Sequence, residues 1–325
     1  MSGRSWIVMA VAAGALSGVA FLGIIAPSLV SILMFYMSPL PLFMVGLAFG
    51  LPAVALAALS GLVFISFVLS LKAAAFYVVS MAIAPVVLVH LALKWRPAAG
   101  GAEGEAADDS GREWYPEGRL LLWTAFMGGA LVSVLLLMTG PDLETIRATL
   151  SQMAGQMLKM SGAADELPAD QVERLKEFVS VATPLVSTAF WVVAMLFNLW
   201  LAARLLRAFG YETRPWAPFW KLTFHPRAMA ALAVAAFATF LPGVLGLIGS
   251  VFAMALLAAF AILGFAVIHG LTLGNPWRNA ILAVLYGGLI VMGWLILLPL
   301  VALALADLTF DLRGKYFRKH PPPRD

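Results

Sequence analysis

The chain has 325 residues, 62% of them hydrophobic and only 12% charged, with a formal net charge of +4. Soluble domains average ~45–50% apolar and ~25% charged residues, so this composition excludes an ordinary soluble fold and points to a membrane protein. The absence of cysteine excludes disulfides, thiolate nucleophiles and thiolate-held metals.

From Ser5 to Leu71 there is no charged side chain, and after Lys72 the next is Lys94. A helix over the first interval would be ~100 Å long, about three crossings of a ~30 Å hydrocarbon core. One charge at the bilayer centre costs ~2.5–3.5 kcal/mol on insertion scales, so a membrane selects against it. The stretch Trp6 to Ile25 is too long for the apolar core of a signal peptide, and apolar sequence resumes after Pro27. It is therefore expected to be an uncleaved first span.

Apolar segments fall at 6–26, 28–49, 51–71, 73–93, 119–139, 179–206, 228–247, 249–271 and 279–306. None shows the ten-residue alternation of a β-barrel. The expected fold is all-α, a polytopic integral membrane helix bundle with about 8–9 transmembrane segments. An N-terminal block of about four helices occupies 1–94, a flexible polar loop 95–118, and a transmembrane helix 119–140. An amphipathic extramembrane helical insertion occupies 141–178, a second transmembrane block 179–306, and a basic tail 307–325.

In the insertion, Leu143, Ile146, Leu150, Met153, Met157 and Met160 recur at steps of three and four, which places them on one helix face. Such a helix is expected on the membrane surface or over the outer mouth of the bundle. Asp170 with Glu173 resembles a capping box for the following helix. Between 207 and 227, Arg207, Arg214, Lys221 and Arg227 alternate with Trp216, Phe219, Trp220 and Phe224. That mixture suits a segment in the headgroup layer better than a nucleic-acid surface.

Charge sets an orientation. With 95–118 and 207–227 cytoplasmic, the acidic 141–178 lies outside. The tail cations Arg313, Lys315, Arg318, Lys319 and Arg324 then call for an even number of crossings. The uncharged turn Pro242–Ser250 makes 228–271 a candidate re-entrant or broken hairpin, which gives eight full crossings from nine helical segments.

Chemical motifs are sparse. No two of His90, His225, His269 and His320 have the i, i+4 spacing of a helix metal site, and no phosphate-binding GK[ST] loop is present. The sequence implies no catalytic residue, no metal and no cofactor, and hence no enzyme. Polar and aromatic residues at or near membrane depth are the ligand-binding candidates: Trp191, Asn198, His269, Asn275 and Tyr286. Ala10, Gly14 and Gly18 fall four apart, as do Ala53, Ala57 and Gly61. Small residues at that spacing let helix backbones approach closely, and the first set is the candidate face for docking another subunit.

The PLPLF stretch with Pro39 and Pro41, the long insertion before a Trp- and Asn-bearing span, and the D-x3-D-x-R tail of Asp307, Asp311 and Arg313 carry a resemblance. Together they resemble the YybS-like family of uncharacterised predicted membrane proteins, itself similar to the substrate-binding S components of energy-coupling-factor vitamin transporters. The resemblance implies a small-molecule ligand, a transmembrane coupling subunit and separate ATPase subunits as partners beside the lipid bilayer. It places the chain in a cell membrane, multi-pass, with a bacterial inner membrane expected. A first helix with small residues four apart docks on the coupling subunit in those components, and Ala10, Gly14 and Gly18 match it. The rival expectations are a non-transporting scaffold or regulator and an intramembrane enzyme or lipid-handling protein.

Overall fold

In the computed structural model, which describes residues 5–25, 28–97 and 111–320, local signals set most helix ends. α1 (Ser5–Phe21) runs on as a 3-10 turn to Ile25. Ser28 caps α2 (Leu29–Met37), its Oγ accepting the Ser31 N–H at 3.1 Å. α3 (Pro39–Phe49) and α4 (Leu51–Val68) each carry proline in the first turn, where a missing N–H costs nothing. Ser70 caps α5 (Leu71–Tyr77), which passes through a π-helical turn at Val78–Ala82 into α6 (Ile83–Ala92).

A short hairpin follows, with β1 (Trp95–Pro97) antiparallel to β2 (Arg112–Trp114). The ends of the expected polar loop are thus paired, while 98–110 lies outside the described residues. Next come α7 (Glu117–Thr139), α8 (Leu143–Met160), α9 (Ala163–Glu166) and α10 (Ala169–Ala208). Asp142 caps α8 by accepting the Thr145 N–H at 2.8 Å. Asp170 is no cap, because it lies inside the first turn of α10 and pairs with Arg174. The chain ends in α11 (Arg227–Ala238), α12 (Val244–Leu271), α13 (Arg278–Met292), α14 (Leu297–Phe310) and α15 (Leu312–Lys319).

Among the described residues, seven helical stretches are long and apolar enough to cross a membrane: Ser5–Ile25, Leu29–Phe49, Leu51–Val68, Leu71–Ala92, Glu117–Thr139, Ala169–Ala208 and Val244–Leu271. The protein is an all-α polytopic membrane helix bundle. Two apolar segments depart from the expected single spans. At ~1.5 Å per residue, α11 is ~18 Å long, short of the ~30 Å core. The expected span 279–306 is broken in two at Gly293, whose φ of 57° lies in the left-handed region that favours glycine.

The chain divides into two compact units, Met1–Thr124 with Val193–Ala217, and Ala125–Val192 with Pro218–Asp325. In the first unit α1 packs on α4. A Cβ on Gly14 would overlap the Ala57 carbonyl, and one on Gly18 would meet the Phe64 ring at 2.6 Å. Ala10 is fully buried, and Ser60 Oγ of α4 donates to the Val11 carbonyl at 2.9 Å. The small-residue face of α1 is therefore internal, which corrects the docking role expected for Ala10, Gly14 and Gly18. The physical cause is the second ladder: Ala53, Ala57 and Gly61 of α4 are buried too, and two small faces let the helices meet at backbone contact.

The break between α2 and α3 follows from PLPLF. Pro39 cannot donate to the Phe35 carbonyl, nor Pro41 to that of Met37, so the helix yields at Ser38. The Ser38 N–H takes the Phe35 carbonyl at 3.2 Å, and side chains of other helices donate to the neighbouring carbonyls of the break. Asn198 Nδ2 donates to the Tyr36 carbonyl at 2.8 Å and to that of Ala194 at 2.7 Å. Ser17 Oγ donates to the Ser38 carbonyl at 2.6 Å and lies 2.8 Å from Tyr77 Oη. Since the Ser17 proton is committed to Ser38, Tyr77 donates.

Also in the first unit, Arg214 gathers chain ends. Its Nη1 donates to the carbonyls of Ala92 at 2.9 Å and Tyr115 at 3.1 Å, and its Nη2 meets Glu117 at 2.6 Å. The guanidinium lies 4.3 Å from the Trp216 ring centroid and 5.7 Å from that of Trp114. Burial lowers the Arg214 pKa from its ordinary value, and the Glu117 carboxylate opposes that shift.

In the second unit, α8 packs across one end of α12. Ile146 is fully buried with Val132 and Leu136 of α7 and Val251 of α12, and Leu150, Leu185, Val244 and Leu247 surround them. α11 folds back along α12, with Gly249 close to Ala238 and Phe260 edge-on to Phe224 at 5.2 Å. The segment 228–271 thus holds a short arm, α11, and a helix, α12, long and apolar enough to cross a membrane. α14 runs parallel to α12, since Gly264 abuts the Leu300 carbonyl and Gly270 the Arg313 side chain. α13 and α14 thus form a reversal about Gly293. Within this unit α8 and the tail lie at opposite ends of α12, whose 28 residues span ~42 Å.

Candidate functional site

The last turn of α12 carries His269, and α13 returns alongside it. His269 Nδ1 lies 2.8 Å from the Phe265 carbonyl. A carbonyl only accepts, so Nδ1 holds the proton and Nε2 is left as an acceptor. Tyr286 Oη points at Nε2 across 3.4 Å, a long and weak contact. The Tyr286 ring stacks on Phe265 with centroids 5.5 Å apart and planes at 8°, and Phe219 meets the imidazole edge-on at 5.3 Å.

Arg278 closes the end of α12. Its Nη1 donates to the His269 carbonyl at 2.7 Å and to Thr272 Oγ1 at 3.1 Å. Terminal carbonyls lack intrahelical donors and carry the negative end of the helix dipole, so a cation here is doubly favoured. Asn275 holds the turn between the helices, its Oδ1 accepting the Trp277 N–H at 2.8 Å. No side chain of α13 is buried.

His269 and Tyr286 therefore come together, with Asn275 shaping the turn between them. Trp191 does not join them. It is buried against Gly128, whose neighbour Gly129 meets Phe252 near the start of α12. Asn198 belongs to the first unit and repairs the α2–α3 break. Arg278, Thr272 and Phe265 are parts of the cluster that the sequence did not single out, and Phe219 was read only as a headgroup-layer aromatic. The signal for Arg278 was its place a few residues after a helix end, where basic side chains cap carbonyls.

A second polar construction fixes the same end of α12. Asp307 accepts the Arg313 backbone N–H on Oδ1 at 2.9 Å, and on Oδ2 it accepts Nε at 2.9 Å and Nη2 at 2.8 Å. Arg313 Nη1 donates to the carbonyls of Trp220 at 2.7 Å and Leu222 at 2.8 Å. Asp311, at φ 51°, turns the chain and caps α15 through Gly314 N–H at 3.1 Å. The D-x3-D-x-R stretch is thus a buried latch: it ties the tail to the short 3-10 turn Phe219–Lys221 and the residue after it. Asp307 had been expected at the exit of the last span, and it is instead buried within α14. The described part of the chain brings no group of three or more His, Asp or Glu within reach of one metal ion.

A broken-helix bundle with polar groups at its helix ends defines a multi-pass integral membrane protein. The chain belongs to the family described as "Predicted membrane protein (DUF2232)", whose model matches residues 120–308, more than half of its length. Comparison with curated proteins and with solved structures finds no match.

Proposed function

We propose that the protein is a substrate-binding component of a membrane transporter, with its ligand site at the α12–α13 turn. The observation that carries this reading is the α13 arm. It has no buried side chain, is flanked by Gly274 and Gly293 at φ 73° and 57°, and meets α12 through His269, Phe265 and Arg278. Discontinuous helices with polar groups at their ends are how transporters place ligand sites in a membrane. Aromatic faces beside an imidazole and a guanidinium suit a small planar or anionic ligand. The resemblance to S components supports the same reading and adds a coupling subunit and separate ATPases as partners, docking on a face other than that of Ala10, Gly14 and Gly18. No reaction belongs to this reading, and the membrane it implies is a bacterial inner membrane.

Native mass spectrometry of the detergent-extracted protein tests it. The expected result is a retained small molecule that Tyr286→Ala with His269→Ala releases while the melting temperature holds. A folded protein that carries neither ligand nor partner subunits would sink the proposal. That outcome would favour a scaffold, a reading suggested by the backbone-contact packing of α1 on α4.

A further inference from the structure

The apolar stripe of α8 changes chemistry where it leaves cover. Its first half is Leu143, Ile146 and Leu150, with Ile146 fully buried beneath α7 and α12. Its second half is Met153, Met157 and Met160, exposed to 53%, 61% and 82%. The packing of α8 is completed there by Ala154 and Leu158, on a neighbouring strip of the helix, so the methionines are not spent on the core.

At about 100° per residue the three methionines fall within an arc of roughly 60° and two turns of helix. Met153–Met157 and Met157–Met160 are neighbours with Cβ atoms about 5–6 Å apart, and the outer two, about 10.5 Å apart along the helix, reach an ion held over Met157 only with extended thioethers. The nearby cations point elsewhere. Lys159 lies about 100° or more around the helix, and Lys176 of α10 packs along Gly155 and pairs with Glu173. Exposed apolar bulk could as well be leucine, as in the buried half. What methionine adds is a soft, neutral sulfur donor that does not need to lose a proton.

We propose that Met153, Met157 and Met160 form a thioether site for a soft monovalent metal ion, Cu(I) or Ag(I). Thioethers select Cu(I)-like ions and are poor ligands for the hard divalent cations that carboxylates hold. The chain carries no cysteine, so methionine is the sulfur ligand it has to offer. Three sulfurs leave an open side toward solvent, where a further donor can take the ion in exchange. This site is independent of the α12–α13 turn.

Silver(I) in halide-free buffer is the probe, because it mimics Cu(I) without redox chemistry. The full chain in detergent, with 13C-labelled methionine methyls, is titrated by NMR. The methyls of Met153, Met157 and Met160 are expected to move together and saturate at one ion per chain, while Met9, Met34 and Met292 stay put. Replacing all three by leucine keeps the apolar surface and volume, so melting should be unchanged and the uptake lost. Met160→Leu alone should weaken binding by at least about tenfold, since losing even an outer-shell support costs 10–100-fold. The site is overturned if the three signals do not respond together, or if the triple leucine variant takes up silver as before. It is equally overturned if lipid vesicles, and not silver, move those signals, since the stripe would then be a membrane-docking face.

Discussion

In the first unit Arg214 shares its charge with Glu117, while in the second Arg313 is paired with Asp307. Both guanidiniums donate to backbone carbonyls, those of Ala92, Tyr115 and Pro215 in one case and Trp220 and Leu222 in the other. The surroundings differ. Asp307 and Arg313 are 5% and 9% exposed, whereas Glu117 is 29% exposed beside an Arg214 that is 2% exposed between two tryptophans. The comparison separates two ways of holding irregular backbone at a helix-bundle end. One relies on a buried charge pair. The other keeps its carboxylate near water and stabilises the cation with aromatic faces.

Losing Asp307 should therefore cost most. Asp307→Ala leaves Arg313 buried without its counter-ion, and breaking a buried pair costs about 3–5 kcal/mol. Thermal melting in detergent is expected to fall more for this variant than for any other single change in the two clusters. Replacing both partners, Asp307→Leu with Arg313→Met, removes the unpaired charge but still orphans the Trp220 and Leu222 carbonyls. Each unsatisfied buried group costs about 1–3 kcal/mol, so the double variant should recover only part of the loss. Full recovery would mean that Arg313 serves Asp307 and not the backbone.

Glu117→Ala should cost less, about 1–2 kcal/mol, because its partly exposed carboxylate is screened and Arg214 keeps three carbonyls and two rings. Arg214→Lys isolates the aromatic contribution: it keeps the charge but loses the planar fork and the stacking. A lysine variant as stable as the parent would remove Trp114 and Trp216 from the account. Equal losses for Glu117→Ala and Asp307→Ala would remove burial as the variable that orders the two regions.

The sequence made the spans legible because the bilayer forbids charge, and Ser5 to Leu71 obeys that rule without exception. It also marked Ala10, Gly14 and Gly18 as a face of close backbone approach, but the expected partner was another subunit and the observed one is α4. It could not say which helix, because spacing defines a face and not its partner. The break at Gly293 was hidden inside a continuous apolar run, where hydropathy is blind to a left-handed φ. The Asp307–Arg313 latch was hidden for another reason. Six residues do not bring two side chains together on a helix, and only the turn at Asp311 does so. His269 and Tyr286 were both visible as polar groups near membrane depth, but their meeting depends on α13 reversing along α12.

The smallest effect belongs to a third carboxylate that fixes a helix end, Asp142, which is fully exposed and caps α8. The backbone N–H of Thr145 donates to it first and the Thr145 hydroxyl second, and both lower its pKa below the ordinary carboxylate range. A depressed carboxylate pKa means that folding favours the ionised form. Its contribution is therefore complete above the unfolded value of about 3.9 and is lost as pH falls through the lower folded value. Asp142→Asn keeps an acceptor at the cap but removes the charge that favours a helix N-terminus. The parent should melt slightly above the variant at pH 7, and the gap should close as the pH is taken below 4. A gap that persists unchanged in acid would show that the side chain acts there by shape. The ordering of the three helix ends by carboxylate burial would then rest on Asp307 and Glu117 alone.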